Sequence, residues 1–543
     1  MNGLDLPEPH QGGPLFTITT EPRLFSPLDE RERRLLAGAL TYQALVHPGV
    51  DVRVTITRAN GSTPPSLTDQ ATQRVEWPDH RQVVGTLGVL STGQDTPPTG
   101  TKDVVVDLGG PVEQLSGLVR LPGRLNAVRN AVRARVPVAF DALRQRQTDR
   151  FENRRLSRPL PRIGAFERPE HTAGSAQPPA VLFGMHWLEL GGAERWAAET
   201  VRMARDAGLQ PIVVTDRDSA HPDVVRDVFD GALVIPLTHP MTSDDESTFL
   251  RALFDRYDIR GVHVHHCTWL YQRLPWIRAQ FPGTRLVDSL HVLEWRTGGF
   301  VDIALRLSNV IDEHHVISPQ LRDYLVDRQG LSRSKVTLAT LADLTVTAVD
   351  QPHDAIGDDG PADRPLTVAF VGRFTQQKRP YLFLRLAQTL HRQLGDRVRF
   401  VMHGDGELGD EVRRDHARRG LQSVVEMRTP STPVSTTLEE ADLLVICSDN
   451  EGVTLTSFEA DAHGVLVISS DVGSQASVVV EDLLVPRHPG PLLAQTTDLV
   501  VDLARDPDRL AALRAAQHDK VAAFAALPRA RDWTRDLYER WNS

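Results

Sequence analysis

The chain has 543 residues, 40% of them apolar and 24% charged, a composition typical of folded globular proteins and not of disordered ones. This length is more than one hydrophobic core usually serves, so two or three domains are expected. The 71 acidic residues outnumber the 61 Lys and Arg, for a net charge of −10. This balance argues against a nucleic-acid-binding protein, whose footprint would be basic.

Positive charge is carried almost entirely by arginine. The sequence has four lysines: Lys102, Lys335, Lys378 and Lys520. A coding preference for arginine explains this bias, but it makes a lysine at a chemically demanding position more notable.

Two further features bear on the compartment. Cys267 and Cys447 lie beside apolar, strand-like runs, which favours buried thiols in a reducing environment. The first residues lack the basic and apolar regions of a signal peptide. No apolar stretch reaches the roughly 20 residues of a membrane span. We expect a cytoplasmic protein, peripheral at most to the inner face of the membrane.

Residues 1–175 differ in sequence pattern from the rest of the chain, and this difference predicts an accessory module. Short β-like runs at 52–57, 82–84 and 104–106 alternate with stretches rich in Pro, Gly, Ser and Thr, a spacing typical of a small β-rich unit. They contain no recognisable chemical motif.

An amphipathic helix is predicted at the end of this module. Its apolar positions recur at helical spacing and are Leu121, Leu125, Val128, Val132 and Val136; Pro137 is expected to end it. Residues 120–168 hold 13 Arg and four acidic residues. Such a segment is either a solvated linker helix or an arm that settles on anionic lipid headgroups. Residues 171–179 resemble a linker.

From residue 180 onward, short apolar runs alternate with helical patterns, which predicts parallel sheets in doubly wound domains. The expected helices are 193–206, 222–229, 270–280, 300–308, 380–394, 409–419 and 455–462. Residues 348–365, rich in Asp, Pro and Gly, read as a hinge between two Rossmann-like halves.

Three loops carry candidate chemistry. Gly191 and Gly192 open a helix, where free N–H groups favour an anion, although such a pair is more often a tight turn. Residues 372–378 leave a strand at its carboxyl end, where open α/β sheets bind ligands. Arg373 and Lys378 there suit phosphate oxygens, which points to a diphosphate. The third loop, at residues 451–460, leads into a predicted helix. Glu459 lies in an otherwise apolar stretch of that helix, where burying a carboxylate is unfavourable unless it has partners.

Taken together, these segments resemble a known family. The matching motifs, in order, are Gly191-Gly192-Ala193-Glu194-Arg195, Gly372-Arg373 with Lys378, His403-Gly404-Asp405-Gly406-Glu407, and Glu451 with Glu459 followed by His463-Gly464-Val465. The region 180–543 resembles a retaining, nucleotide-sugar-dependent family 4 glycosyltransferase of the GT-B fold. The first 175 residues lie outside the resemblance.

The resemblance implies a domain plan and a partner set. It predicts an α/β protein with an acceptor domain at 176–360, a nucleotide-sugar domain at 361–520 and a C-terminal crossover helix at 521–543. The implied partners are a UDP- or GDP-sugar donor and a saccharide or lipid-linked acceptor of surface polysaccharide or glycolipid synthesis. Peripheral membrane contact is compatible with this plan, and neither nucleic acid, cofactor nor metal is expected.

The resemblance also implies residue roles. Arg373 and Lys378 would stabilise the donor diphosphate as the glycosidic bond breaks, Glu451 would bind the donor sugar, and His291 would touch the reacting centre. The implied donor-binding residues are Gly191, Gly192, Gly372, Gly404, Gly452, Val453, Thr454 and Glu459. Thr454 replaces a glycine usual in the family, so the sugar stays open.

Two alternative functions stay open at this point. One is a GT-B enzyme of another class, such as an epimerase or phosphorylase. The other is a catalytically silent GT-B scaffold that binds a partner through residues 1–175. Acceptor specificity is expected on loops 186–190, 267–273 and 292–299, where Trp187, Trp269 and Trp295 could stack on a sugar ring or pack internally.

Overall fold

A computed structural model of the protein describes most of the chain. The described residues are 15–59, 66–69, 81–91, 100–109, 123–156, 162, 177–188, 192–219, 229, 231–237, 243–294, 298–344 and 364–543. Several predicted features lie outside them: Leu121, the side chain of Leu125, nearly all of the helix 222–229, the linker up to 176 and most of the connector 348–365.

The accessory module is built on a mixed five-stranded sheet, as the β-like runs predict. The strands, in the spatial order β1-β4-β2-β5-β3, are β1 (Phe16–Leu24), β2 (Val50–Ala59), β3 (Ser66–Asp69), β4 (Arg81–Ser91) and β5 (Gly100–Asp107). β2 and β5 are parallel, and the other pairs are antiparallel.

Helix α1 (Glu30–Val46), which was not predicted from the sequence, joins this sheet to the next domain. Asp29 and Glu32 cap its first turn in a capping box. One face packs on β2, β4 and β5 of the accessory sheet. The other face packs on the acceptor domain, where Tyr42 lies 5.3 Å from Phe249 between ring centroids and Arg31 bonds Asp218. Helix α1 therefore holds the accessory sheet against the acceptor domain.

The basic segment forms two helices where one was predicted: α2 (Gly123–Arg135) and α3 (Pro137–Leu156). Pro137 begins α3 instead of ending the helical region, because proline is well tolerated at the first helical position. The interpretation as a solvated linker is wrong for α3, which packs against the nucleotide-sugar domain and buries Asp141 completely.

The second sheet has seven parallel strands in the order β12-β11-β10-β9-β6-β7-β8. They are β6 (Pro179–Met185), β7 (Gln210–Thr215), β8 (Leu233–Pro236), β9 (Asp258–His265), β10 (Arg285–Leu290), β11 (Glu313–Val316) and β12 (Val336–Leu338). The helices are α4 (Gly192–Asp206), α5 (Ser243–Arg256), α6 (Thr268–Gln280), α7 (Gly299–Arg306) and α8 (Pro319–Asp323), the last continued by a π-helical turn.

The third sheet has six parallel strands in the order β15-β14-β13-β16-β17-β18. They are β13 (Leu366–Val371), β14 (Val398–His403), β15 (Val425–Arg428), β16 (Leu443–Ile446), β17 (Leu466–Ser470) and β18 (Leu484–Val485). Its helices are α9 (Pro380–Leu394), α10 (Gly409–Arg418), α11 (Val434–Glu440), α12 (Leu455–Ala462), α13 (Pro489–Leu503) and α14 (Pro507–Ala525). The sequence thus predicted both Rossmann-like halves correctly.

The predicted crossover helix at 521–543 is two elements in the structure: the end of α14 and a separate helix α15 (Ala530–Asn542). Between them, the backbone of Thr340 bonds Pro528 and Ala530, so the chain returns to the acceptor domain. α15 then packs on that domain through Tyr538, whose hydroxyl lies 2.7 Å from His263 Nδ1.

Both cysteines are buried and unbridged, as predicted. Within the described ranges, no helix has the length and apolar character needed to cross a membrane.

Candidate functional site

The loop that follows β13 and the loop that follows β16 meet through one ion pair. Lys378 Nζ donates to Glu451 Oε1 at 2.6 Å, with Lys378 20% and Glu451 8% exposed. Because β13 and β16 are adjacent parallel strands, their carboxyl ends bring these loops together. Two residues that lie 73 positions apart in the sequence thus form one charged centre.

Close backbone packing shapes the base of this centre. Gly404 follows β14 with a φ of +153°. A Cβ there would stand 2.0 Å from the carbonyl oxygen of Gly372, so glycine is required for the two loops to touch. Arg373, which follows Gly372 in the chain, is exposed.

The glutamate loop also touches the acceptor domain. A Cβ on Gly452 would lie 2.2 Å from the carbonyl oxygen of His291, so the backbones of the two domains are in close contact. Ser474 Oγ donates to Ser318 Oγ at 2.6 Å beside this contact. The structure therefore brings His291 to Gly452, across the boundary between the domains.

Thr454 caps α12 with its backbone, but its amide already has a partner. The N–H of Thr454 donates to Gln475 Oε1 at 3.1 Å, and Gln475 is fully buried. Gln475 was not predicted as a site residue, because no local pattern links it to a loop 21 residues earlier. Its amide fixes the turn that carries Val453 and Thr454.

Glu459 lies on α12, and Glu451 lies in the loop before this helix. Burial raises the pKa of Glu459, while the charge of Arg195 on α4 acts in the opposite direction. Gly192, at the start of α4, lies against Leu455 of α12. The glycine turn and the second glutamate are thus neighbours, with Gly191 itself outside the described residues.

His291 is 3% exposed, and its Nε2 has no hydrogen-bond partner among the described residues. Burial lowers its pKa well below the usual value, so the imidazole is neutral at pH 7. His266 stands 5.0 Å away in an edge-on arrangement and stacks on Phe300 at 4.7 Å. An unpartnered neutral imidazole can donate or accept a hydrogen bond to a ligand.

A second pair in the acceptor domain was not predicted as a site. His186 Nδ1 lies 2.8 Å from Asp216 Oδ1, and the other oxygen of Asp216 accepts from the amide of Trp269 at 3.1 Å. Asp216 directly follows the strand β7 (Gln210–Thr215). The sequence does not show that His186 is the partner of Asp216, because His186 follows a different strand, β6 (Pro179–Met185).

Two of the three predicted stacking tryptophans have internal partners. The indole of Trp187 donates to Glu194 at 2.9 Å, and that of Trp269 donates to Glu246 at 3.2 Å; Trp295 lies outside the described residues. Across the parts of the chain that the structure describes, no group of three His, Cys, Asp or Glu side chains could hold a metal ion.

Two family models match the chain, one on each Rossmann-like half. The model described as Glycosyltransferase Family 4 matches residues 190–339, and the model described as Glycosyl transferases group 1 matches residues 365–506. Together the models cover more than half of the chain.

Relatives support the same conclusion. D-inositol 3-phosphate glycosyltransferase 1 of Catenulispora acidiphila is 26% identical over 374 residues, covering 62% of this chain and 88% of the relative. The D-inositol 3-phosphate glycosyltransferase of Nocardia farcinica is 26% identical over 390 residues, covering 64% and 83%.

Solved structures share the fold. Anabaena HepE in complex with UDP has a TM-score of 0.50 at 14% identity, covering 66% of this chain and 99% of that one. The pneumococcal O-GlcNAc transferase GtfA, in complex with UDP and GlcNAc, has a TM-score of 0.50 at 11% identity, covering 67% and 98%. With two parallel Rossmann-like sheets and matches on both halves, the chain belongs to the family 4 glycosyltransferases of the GT-B fold and uses a nucleotide-sugar donor.

Proposed function

We propose that the enzyme transfers a sugar, with retention at the anomeric carbon, from a UDP- or GDP-sugar to a hydroxyl of a surface polysaccharide or glycolipid precursor. The observation that carries the proposal is the ion pair of Lys378 with Glu451, 2.6 Å long, next to the neutral His291. In this proposal Lys378 binds the diphosphate of the donor and Glu451 binds its sugar hydroxyls. The imidazole of His291 contacts the reacting centre of the same donor.

The charges fit a leaving diphosphate. Arg373 is exposed and offers a planar fork for phosphate oxygens, while Lys378 offers a compact charge. In the proposed mechanism both cations stabilise the negative charge that grows on the diphosphate as the glycosidic bond breaks. Because these side chains supply the positive charge, the proposed reaction uses no metal.

In the proposed retaining mechanism, neither glutamate acts as a nucleophile. Glu451 is paired with Lys378, an arrangement that suits hydrogen bonding to the donor sugar and weakens a carboxylate as a nucleophile. Glu459 is assigned to the ribose hydroxyls of the donor. In the proposed front-face route, the leaving phosphate itself takes the proton of the acceptor hydroxyl. The carboxylate pair of glycosidases is therefore not part of this mechanism.

The roles of Lys378 and Glu451 can be tested by donor turnover. We expect Lys378→Ala and Glu451→Ala to lower kcat by about 100- to 1000-fold, the usual effect of losing a group that stabilises transition-state charge. Lys520→Ala is the matched control, because Lys520 donates only to the carbonyl of Val479 in the structure described. The turnover of wild type, the two site variants and the control is measured as nucleotide release from a panel of UDP- and GDP-sugars. Unchanged turnover in Lys378→Ala or Glu451→Ala would contradict the proposed donor site.

A second acceptor class is favoured by the relatives, several of which are named D-inositol 3-phosphate glycosyltransferases. An acceptor panel of lipid-linked sugars, oligosaccharides and D-inositol 3-phosphate distinguishes the two classes.

Proton NMR of the product gives its anomeric configuration and tests retention. Retention predicts an α-linked product from an α-linked donor.

Peripheral contact with the inner face of the membrane is part of the proposal. Val128, Val132, Val136 and Leu143 are 44–61% exposed and fall within an arc of about 80° on a helix of 3.6 residues per turn. The backbone bonds from Val136 to Val132 and from Phe140 to Val136 carry the helix across the α2–α3 junction. Exposed Arg135, Arg146 and Arg150 share this face, a combination that suits anionic lipid.

A further inference from the structure

The carboxylate of Asp141 reaches from the accessory segment into the core of the nucleotide-sugar domain. Its Oδ2 accepts from Nη1 of Arg379 at 3.0 Å, and both side chains are 0% exposed. Arg379 directly follows Lys378, and Asp141 lies 238 positions earlier on α3. Buried charges are retained only where they are paired and hydrogen-bonded.

Arg379 is the point at which several loops of the donor site are joined. Its guanidinium donates to the carbonyl oxygens of Cys447 at 2.6 Å, Ser448 at 2.7 Å and Arg487 at 2.6 Å. Cys447 and Ser448 follow β16 and lead to Glu451. Arg379 also has a φ of +52°, an unfavourable left-handed conformation for a residue with a side chain. The side-chain bonds therefore hold a strained backbone directly after Lys378.

The second oxygen of Asp141 extends the same network. Oδ1 accepts from Nε and Nη2 of Arg144 at 3.2 and 3.0 Å, and Arg144 also bonds the carboxylate of Asp449. The amide of Asp449 donates to the carbonyl of Gln377 at 2.9 Å. One face of α3 thus touches the segments directly beside both Lys378 and Glu451.

The charge balance makes Asp141 necessary to this arrangement. Three of the four acceptors of Arg379 are neutral carbonyls, and Asp141 is the carboxylate paired with it within the described ranges. Without that carboxylate the guanidinium would be a buried charge lacking a counter-ion, which is strongly unfavourable. Arg379 would then move toward water and take Lys378 with it.

We propose that Asp141 is a positioning residue for glycosyl transfer: through Arg379 it fixes Lys378 and the loop of Glu451 in their working geometry. The inference rests on the proposed roles of Lys378 and Glu451. It makes α3, a helix outside both matched family regions, a component of the donor site. A displacement of about 1 Å in such a site can lower the rate about 100-fold.

The test compares Asp141→Asn with Asp149→Asn in the full chain. Asp149 lies on the same helix and accepts from the side chains of Arg487 and His488. Arg379 bonds the backbone carbonyl of Arg487, so Asp149→Asn removes a carboxylate from α3 without removing a partner of Arg379. Nucleotide release from UDP-glucose is measured at a temperature where both variants are folded by circular dichroism. We expect kcat/KM to fall about 10- to 100-fold in Asp141→Asn and to stay within twofold of wild type in Asp149→Asn.

Hydrogen exchange gives a readout that needs no donor. Amide exchange in peptides spanning 375–379 and 447–451 should accelerate at least tenfold in Asp141→Asn and stay unchanged in Asp149→Asn. If Asp141→Asn fails to fold, Arg144→Gln, which loses one arm of the network, should give a smaller change in the same two measurements. Wild-type exchange and kinetics in a folded variant would overturn the proposal.

Lys378→Ala distinguishes this proposal from the one on which it rests. Loss of turnover in Lys378→Ala with normal kinetics and exchange in Asp141→Asn refutes the positioning role alone. Full turnover in Lys378→Ala refutes the proposed donor site, whatever Asp141→Asn shows.

Discussion

Among single residues, Lys378 is notable because only four of the 61 Lys and Arg residues of the chain are lysines. Its ammonium accommodates a short contact with Glu451 in a confined space. The three other lysines bond mostly to structural groups: Lys335, for example, donates to the carbonyls of Ser308 and Ile311 at 2.7 and 3.0 Å. If Lys378 holds the donor diphosphate as proposed, position 378 requires a compact charge.

Substituting arginine tests that requirement. Lys378→Arg keeps the charge, but its wide planar fork cannot occupy the same position beside Glu451. We expect kcat/KM for the donor to drop at least tenfold, measured by nucleotide release. Lys520→Arg serves as the control and should stay within twofold of wild type; equal activity of the two variants would contradict the argument.

Gly452 offers a second test at this scale. In Gly452→Ala the new methyl group would meet the backbone oxygen of His291 at 2.2 Å, so the two domains must move apart. We expect kcat to fall tenfold or more while circular dichroism shows a folded protein.

The matched control is Gly490→Ala, since no atom lies within 4 Å of a Cβ at that position. It should leave activity unchanged and raise stability slightly, as Ala restricts the unfolded chain. Wild-type kinetics in Gly452→Ala would show that this contact opens without cost.

At the scale of secondary structure elements, β9, β10, β11 and α15 share a buried histidine cluster. His263 bonds Tyr538 and Ser289 at 2.7 and 2.9 Å, and Ser289 also bonds His315 at 2.9 Å. His315 stacks on Trp533 at 4.5 Å. Burial lowers the pKa of His263 well below its usual value and that of His315 to about 4.

These lowered pKa values predict acid sensitivity. The pKa of histidine in an unfolded chain is about 6.5. Between that pH and about 4, the unfolded chain therefore binds a proton at His315 that the native protein does not. The free energy of unfolding is therefore complete above about pH 6.5 and falls below it, by about 1.4 kcal/mol per pH unit for each such histidine. Urea unfolding at pH 7.5, 6.5 and 5.5, followed by tryptophan fluorescence, measures the slope.

His315→Gln should flatten that slope by about one proton, even though it weakens the fold at pH 7.5. Ser289→Ala is the control, because it removes a hydrogen bond to His315 but no titrating group. It should lower stability equally at all three pH values. An unchanged slope in His315→Gln would contradict the assignment.

Element prediction from sequence succeeded where the pattern is local. Helices 380–394 and 455–462 match α9 and α12 residue for residue, because apolar periodicity and Pro380 mark them. It failed at Pro137, where the same residue type can end one helix or begin the next. It also missed α1, whose two packed faces leave little amphipathic contrast.

For the whole molecule, the accessory segment touches both Rossmann-like domains. α1 packs on the acceptor domain, while α3 packs on α9 and α13 of the nucleotide-sugar domain. The apolar stripe of Val128, Val132, Val136 and Leu143 lies about 180° from Asp141 on the helix. One helical segment thus presents a protein-facing side and a solvent-facing side suited to lipid.

The lipid-facing side can be tested with vesicles. We expect wild-type protein to sediment with vesicles containing phosphatidylglycerol at low salt, and release at high salt, since the arginines are screened. Val132→Glu combined with Val136→Glu should reduce binding at least tenfold. Ile18→Glu, at another exposed apolar position, should bind like wild type. No vesicle binding by wild type would refute the membrane contact.

By itself the sequence determined the two parallel-sheet domains and the loops at the strand ends, because strand and helix periodicity and turn chemistry are local properties. Tertiary structure alone decided which of these residues meet. The pairs Lys378–Glu451, Gly452–His291 and Arg379–Asp141 lie 73, 161 and 238 positions apart. Strand order, domain contact and the docking of α3 bring them together, and these depend on packing between distant segments that no local pattern encodes.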